Sequence, residues 1–212
     1  MNATRVSKTA GRRPGMAVTV ILLALTALRQ GRAADVNYTI TGVLTGGWDQ
    51  FAIFLKGKEA QDMAKQPFTL VFTFDDSKGK ALAGKAESSL TGGGVQSGGK
   101  AVLTVGSGSY TFGGDVYSGW SVYRAPGLIV ISVNEAKGSF FDFAPAVDVR
   151  IVPARGGKPF GTDWKAPLST TTIDNAPSCF IITHRGDRTH EVKGCFDIGK
   201  VEVAGPRSWS PF

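Results

Sequence analysis

Apolar and polar residues alternate in short stretches along most of this chain, and glycine or proline separates one stretch from the next. The clearest stretch is 68–76, FTLVFTFDD, in which Phe68, Leu70, Phe72 and Phe74 fall on one face at a period of two. Burying four such side chains against a second layer contributes roughly 6–12 kcal/mol to folding. No amphipathic helical period of comparable length competes, so the pattern predicts an all-β protein.

The spacing of these stretches predicts a single antiparallel β-sandwich of about ten strands with long Gly-rich loops. The segment 103–112, LTVGSGSYTF, has the form of a β-hairpin around a glycine turn. The segment 91–100, TGGGVQSGGK, is predicted to be a flexible loop, and 50–65 is the one place where a helical turn fits. The other predicted strands are 36–45, 86–90, 100–105, 109–113, 120–124, 128–134, 140–143, 147–152, 178–184 and 191–203.

The first 33 residues follow a different pattern. A basic stretch without acidic groups precedes the apolar run 17–28, and Gly31 and Ala33 occupy the −3 and −1 positions of a cleavage site. Residues 1–33 are therefore predicted to be a cleaved secretory signal peptide, and 34–212 a single β-sandwich domain. Twelve apolar residues are too few to span a bilayer stably. A retained membrane anchor and a twin-arginine signal at Arg12-Arg13 are the alternatives.

The leader also changes the charge of the protein. The whole chain has 24 Lys and Arg against 17 Asp and Glu, a net charge of +7 that is typical of nucleic-acid binding. Removing the six leader cations leaves 18 against 17, a net charge of +1. The six are Arg5, Lys8, Arg12, Arg13, Arg29 and Arg32. No basic run remains to follow a phosphate backbone, so we expect no nucleic-acid partner. We also expect no membrane span after cleavage.

Both cysteines and both histidines lie within seventeen residues, in the order Cys179, His184, His190 and Cys195. In a hairpin centred on Asp187, Cys179 faces Cys195 and His184 faces His190, with the two pairs on opposite faces of the hairpin. Ligands divided between two faces cannot close on one metal, so a disulfide between the cysteines is predicted; structural zinc and free thiols are the alternatives.

The hairpin tip and one strand end offer weaker alternatives. The tip contains Arg185-Gly186-Asp187, which suits either an ordinary turn or an adhesion motif, and the histidines suit a pH-sensitive or metal spot. Asp75-Asp76-Ser77 suits either a strand end or a calcium ligand set. No nucleophile elbow, glycosidase carboxylate pair or phosphate loop is recognisable, so we predict no catalytic residues, no metal and no cofactor.

Aromatic residues beside glycine and proline turns are the remaining candidates. Exposed rings on a β-sandwich suit stacking against sugar rings, with Asp49, Asp115 and Asp163 available to accept hydroxyl hydrogen bonds. The alternative is that the rings cap the ends of the core. The ring-bearing candidates are Trp48, Tyr117, Trp120, Tyr123 and Trp164, of which Trp48, Trp120, Tyr123 and Trp164 are the predicted ligand-binding residues.

Three segments together carry a resemblance. FTLVFTFDD, LTVGSGSYTF and GTDWKAPLS, in that order, resemble uncharacterised secreted β-rich proteins of Gram-negative bacteria, many of which have a Pro-Glu-Pro C-terminal sorting tail. The tail is absent from this sequence, which ends in WSPF, and the cysteine pair is not expected in that group. The resemblance implies a β-rich fold and export, and it implies no functional residues.

Three classes of function follow from these observations. The leading expectation is a periplasmic or secreted protein of structural or surface type that is not an enzyme. A carbohydrate-binding module, with a glycan or cell-surface component as its partner, is the alternative, and a secreted hydrolase is the second alternative. Fold class does not decide among them. The oligomeric state stays open.

Overall fold

The computed structural model describes residues 35–57, 60–114, 117–135, 145–184 and 187–205. Within these ranges, only the backbone is described at 184 and 187–190. These residues form strands and turns, and no helix occurs among them. The strands are β1 (Asp35–Asp49), β2 (Gln61–Asp62), β3 (Pro67–Asp75), β4 (Lys80–Ala83), β5 (Ser88–Gly94), β6 (Gly99–Val105), β7 (Gly108–Gly113), β8 (Ser118–Ala125), β9 (Leu128–Glu135), β10 (Ala146–Pro153), β11 (Leu168–Thr170), β12 (Ile173–Asn175), β13 (Cys179–His184) and β14 (Asp187–Ala204).

All the strands belong to one antiparallel sheet. Its main path runs β4-β5-β8-β9-β10-β13-β14-β1-β3-β6-β7, while β2, β11 and β12 pair beside it with β1, β14 and β10. The all-β, antiparallel prediction is confirmed. The finer prediction, a single β-sandwich of about ten strands, is not confirmed. The hydrogen-bonded path continues without a break from β4 to β7, so the strands form one sheet and not two.

The sheet curls so that its two ends face each other. The Phe74 ring of β3 lies 5.1 Å from the Trp120 ring of β8, and the backbone N–H of Gly113 in β7 donates to the Glu135 carboxylate of β9 at 3.2 Å. The register of β1 against β14 shifts between Thr41 and Gly42 and again between Leu44 and Gly46. Such bulges increase the local twist and bend of a strand pair. They lie in the two longest strands, near the middle of the path.

The core fills the concave side of this curl. Phe68, Leu70, Phe72 and Phe74 are all buried, which confirms the period-two stripe of β3. Strands β8 and β9 bury every second residue in the same way. One side of the sheet therefore points into the core along most of its length, and the other side meets the solvent.

Several local predictions need correction. Thr91 to Gly94 continue β5 and pair with β8, so the loop predicted over 91–100 is reduced to 95–98. Residues 50–65 contain turns and β2 and, where described, no helix. The Asp49 carboxylate accepts the backbone N–H groups of residues 53–55, which organises the first part of this stretch as a turn. The sequence does not predict strands β2, β4, β11 and β12, because each is too short to show a period of two. The strand predicted over 140–143 and the leader over 1–33 lie outside the described residues.

Candidate functional site

The structure separates the four predicted ligand-binding aromatic residues. Trp120 and Trp164 are each 3% exposed, whereas Trp48 is 53% exposed. Tyr123 is half-buried on the outer side of β8, and its hydroxyl donates to the Glu87 carboxylate at 2.6 Å. The placement of these side chains does not support one shared aromatic surface. Among the four, Trp48 has the geometry of an open platform.

Trp120 belongs to the core between the two ends of the sheet. Its indole Nε1 donates to the Ser97 carbonyl at 3.0 Å, so the one polar atom of the ring is satisfied internally. Gly92 and Gly99 lie against the ring, and a Cβ atom on Gly99 would come within 2.3 Å of it. The glycines that made this region read as a loop in the sequence are needed for close approach of the backbone to the indole.

Trp164 fixes an irregular segment across the sheet; residues 160–166 are called the Trp164 segment below. The backbone N–H of Trp164 donates to the Ser88 hydroxyl at 2.8 Å, and that hydroxyl donates to the Thr162 carbonyl at 2.5 Å. The Tyr38 hydroxyl donates to the Trp164 carbonyl. Ser88 belongs to β5 and Tyr38 to β1, so the Trp164 segment joins two strands that are far apart along the sheet path.

A buried arginine supports the same segment. Arg124 is 2% exposed, and its Nη1 donates to the Ala166 carbonyl at 2.7 Å. Its Nε has no hydrogen-bond partner in the described structure. Burial raises the pKa of the Tyr38 phenol well above its usual value, while the neighbouring Arg124 acts in the opposite direction. These polar groups face backbone carbonyls, so their evident role is to hold the segment.

The carboxylates proposed as sugar acceptors have other partners. Asp49 is fully buried and accepts backbone N–H bonds from Ile53, Phe54 and Leu55 at 2.8–2.9 Å. Asp163 accepts from the backbone N–H of Lys165 at 2.9 Å. Asp115 lies outside the described residues. Asp49 therefore organises the turn after β1 instead of facing solvent.

An apolar groove of about 390 Å³ opens on the outer side of β1, β13 and β14. We call it the Trp48 groove; its wall and floor are formed mainly by Trp48, Gly46, Ile181, Lys193 and the bond between Cys179 and Cys195. Lys193 also pairs with the Glu191 carboxylate. The groove thus places an open indole face beside apolar floor atoms and one ion pair.

The pairing of β1 with β14 explains why the groove exists. Gly46 stands opposite Cys195 and Trp48 opposite Lys193, with Thr45 as the extra residue of the bulge. Outside residues 45–47, no heavy atom of the described residues lies within 4 Å of the position that a Cβ atom on Gly46 would take, so the surface is open there. Gly47 has a φ of +143°, and a Cβ on it would meet the Lys193 carbonyl oxygen at 2.2 Å, so this position requires glycine.

The predicted disulfide is present. Cys179 and Cys195 face each other in β13 and β14 with their Cα atoms 4.0 Å apart, and both residues are exposed. Phe180, Ile182 and Val192 point to the opposite, buried face, as the hairpin alternation requires. Among the described residues, no group of three or more His, Cys, Asp or Glu side chains could hold a metal ion.

The predicted pairing of the two histidines is wrong. The register holds from Cys179 to Thr183 and then shifts, so that His184 pairs with Asp187 rather than with His190. Thr183 pairs with Glu191, so Arg188 to His190 are accommodated as an irregularity of β14. The side chains of both histidines and of Asp187, and all of Arg185 and Gly186, lie outside the described structure.

The two aspartates at the end of β3, Asp75 and Asp76, face different partners. Asp75 accepts hydrogen bonds from the backbone N–H and the hydroxyl of Ser77, at 3.0 and 2.6 Å. Asp76 forms an ion pair with Lys165 of the Trp164 segment at 2.7 Å. Asp75 therefore completes a turn and Asp76 anchors the segment, which gives the two carboxylates no common ligand.

Sequence reasoning missed the groove-forming role of Gly46, Ile181 and Lys193. The available signals are the Gly46-Gly47-Trp48 triplet and the Lys193-Gly194-Cys195 triplet, in which glycine leaves a large neighbour uncovered. These signals become readable only after the register of β1 against β14 is known.

In the part of the chain that the structure describes, no helix has the length and apolar character needed to cross a membrane. Comparison of the chain with protein-family models, with curated proteins and with solved structures finds no match.

Proposed function

We propose that this chain is exported and acts outside the cytoplasm as a structural or surface protein without catalytic activity. The observation that carries the proposal is the disulfide between Cys179 and Cys195, because such bonds persist in oxidising compartments and are rare in the cytosol. The basic and apolar pattern of residues 1–33 supports the same location. The resemblance to secreted β-rich proteins of Gram-negative bacteria is part of this proposal.

The scaffold in this proposal works as a sandwich does, with two facing layers around one core. The contact between Phe74 and Trp120 and the bond from Gly113 to Glu135 support it, since both join opposite ends of the curled sheet. The Trp164 segment adds a third connection between them. Such a body is suited to presenting an outer surface in a fixed shape.

Export is tested by expressing the full chain in a Gram-negative host beside a variant lacking residues 1–33. We expect the full chain to yield a shortened product outside the cytoplasm. Its two cysteines should not react with a maleimide reagent, because they form a disulfide. The variant lacking residues 1–33 should stay inside with two reactive thiols. A full-length, thiol-reactive product in the cytoplasm would contradict the proposal.

The second candidate function is carbohydrate binding at the Trp48 groove. The observation that favours it is the 53% exposure of Trp48, because an open indole can stack against the apolar face of a sugar ring. The Glu191–Lys193 ion pair lies on the strand opposite, and Gln50 accepts a hydrogen bond from the Glu191 backbone N–H at 3.1 Å. These polar groups are suited to hydroxyl hydrogen bonds around a stacked ring.

A glycan array probed with the exported protein and with Trp48→Ala tests this candidate. Tyr117→Ala is the matched control, because Tyr117 is also exposed (55%) but immediately precedes β8 and does not line the Trp48 groove. Binding that is lost in Trp48→Ala and kept in Tyr117→Ala is the expected result. Binding to no glycan would remove this candidate, and release of reducing ends from a bound glycan would favour a hydrolase instead.

A further inference from the structure

We propose that the bond between Cys179 and Cys195 is a thiol–disulfide exchange site that reacts stoichiometrically with a dithiol, one dithiol for each oxidised chain. This inference goes beyond the proposed function, and it does not depend on glycan binding in the Trp48 groove. It rests on three properties of the bond: its access to solvent, the strand pairing that holds its two ends, and the groove beside it.

The bond is accessible from the outer side of the sheet. Both cysteines are exposed, and both line the Trp48 groove. Gly46 of β1 stands opposite Cys195, and outside residues 45–47 no heavy atom of the described residues lies within 4 Å of the Cβ position on Gly46. An attacking thiolate therefore meets an open approach to a sulfur atom, and exchange rates depend directly on such access.

The strands stay in place without the bond. Cys179 and Cys195 are neighbours in an antiparallel ladder, and the Phe196 N–H donates to the Ser178 carbonyl at 2.8 Å directly beside them. On the opposite face Phe180 and Phe196 are buried with their ring centres 5.5 Å apart. Strand β14 is also paired along its other edge with β1. Reduction would leave the two thiols opposite each other, ready to form the same bond again.

The exchange balances as follows. One thiolate of the dithiol attacks the Sγ atom of one cysteine, the bond between Cys179 and Cys195 breaks, and the other Sγ leaves as a thiolate that takes up a proton. The second thiol of the dithiol, once deprotonated, attacks the other dithiol sulfur, which is bonded to the chain in the mixed disulfide. This attack releases the remaining cysteine as a thiolate, which takes up the second proton. Two electrons and two protons pass from the dithiol to this chain, and the dithiol becomes a disulfide.

The test measures reduction of the exported, oxidised protein by dithiothreitol and, in a second arm, by a thioredoxin-type dithiol protein. Samples are alkylated with iodoacetamide at intervals and weighed by mass spectrometry, with and without urea sufficient to unfold the chain. We expect the folded protein to be reduced within about tenfold of the rate for the unfolded chain, because the sulfur atoms are already accessible. Faster reduction by the protein dithiol would indicate that the dithiol partner is a protein. Faster reduction by dithiothreitol would indicate that the dithiol partner is a small molecule.

Gly46→Val and Gly46→Phe provide variants that cover the bond to increasing extents. Gly127→Phe is the matched control, because Gly127 is likewise open and lies in the distant turn between β8 and β9. We expect graded slowing, reaching about tenfold for Gly46→Phe, and a change of less than about twofold for Gly127→Phe. Circular dichroism of each variant establishes that it is folded.

Three results would overturn the proposal. The first is reduction of the folded protein only at the rate of its global unfolding. The second is equal reduction rates in folded Gly46→Phe and Gly127→Phe. The third is a reduced chain that loses its β spectrum or fails to re-form the same intramolecular bond after the reductant is removed.

Discussion

Trp48 and Trp164 are the same residue type in opposite situations. Trp164 is 3% exposed, and its backbone N–H and C=O groups are both bonded to side chains of other strands. Trp48 is 53% exposed, in a groove where Gly46 leaves the surface open. In the sequence both tryptophans stand close to glycine, and both invite the same functional interpretation. The comparison teaches that a glycine close to a tryptophan in the sequence does not tell whether the ring is buried or exposed.

The two regions also differ in how polar groups are used. Around the Trp164 segment the hydroxyl, phenol and guanidinium groups point inward and bind backbone carbonyls, which fixes an irregular segment in the core. Around the Trp48 groove the charged groups Glu191 and Lys193 pair on the outer surface. Buried polar groups of the first kind are costly to remove because their partners are left unsatisfied. Exposed ion pairs of the second kind contribute little to stability.

The largest expected effect comes from Trp164→Ala. Removing this buried ring should lower the free energy of unfolding by about 3–5 kcal/mol, since a large core side chain is lost and a cavity remains. Urea unfolding followed by circular dichroism measures the change. A loss below about 1 kcal/mol would mean that the Trp164 segment is not part of the folded core.

Ser88→Ala tests the polar contacts of the same segment. The change leaves the Trp164 N–H and the Thr162 carbonyl without their partner, so we expect a loss of about 1–3 kcal/mol in the free energy of unfolding. Ser121→Ala is the control, because the Ser121 hydroxyl bonds only the Ser132 hydroxyl, at 2.8 Å, on the half-buried outer side. Equal losses in the two variants would show that the segment has no special dependence on Ser88.

Tyr38→Phe should lower the free energy of unfolding by about 1–2 kcal/mol at pH 8, through loss of the hydroxyl contact with Trp164. Because burial raises the pKa of Tyr38 in the folded state, the folded chain keeps the phenol proton above about pH 10, where the unfolded chain loses it. The stabilisation is therefore complete below that pH and falls as the pH rises.

Urea unfolding of the wild type and of Tyr38→Phe between pH 8 and pH 11 measures this dependence. The difference between the two proteins should shrink above about pH 10. Tyr117→Phe, at an exposed ring, should stay within about 0.5 kcal/mol of the wild type at pH 8. A difference between wild type and Tyr38→Phe that grows with pH would contradict the placement of the phenol.

The smallest expected effect on stability comes from Trp48→Ala, within about 0.5 kcal/mol, because the ring is mostly in solvent. Its fluorescence provides the sharper measurement. In a Trp209→Phe background, which removes a tryptophan outside the described residues, iodide should quench one component of the emission, and Trp48→Phe should abolish that component. Persistent quenching in Trp48→Phe would place an accessible ring elsewhere.

The sequence predicted the strands that have a clear period and missed those that do not. The β3 stripe and the pairing of Cys179 with Cys195 both follow from strict alternation, in which position along the strand determines the face. His184 was placed incorrectly because a register shift after Thr183 ends that alternation. Thr91 to Gly94 were placed in a loop because their glycines weaken a strand in isolation, whereas pairing with β8 stabilises them in the fold.

The candidate site was predictable only in its individual residues. Trp48 and the disulfide were both recognised, yet nothing in the sequence places them side by side, since they lie more than 130 residues apart along the chain. Their place in one groove depends on the bulge at Thr45, which puts Gly46 opposite Cys195 and Trp48 opposite Lys193. Trp120 follows Gly119 in the sequence, but its ring is enclosed by Gly92 and Gly99, which only the fold brings against it.

By itself the sequence determined the all-β class, the buried stripe of β3, the disulfide and the near-neutral balance of charges after residue 33. Each of these depends on local period or on composition, which folding does not change. Tertiary structure alone decided that one sheet curls on itself, that Trp164 is buried and that Trp48 is open. Those outcomes depend on register shifts and on which distant strands meet, and a difference of one residue in pairing reverses the face that a side chain occupies.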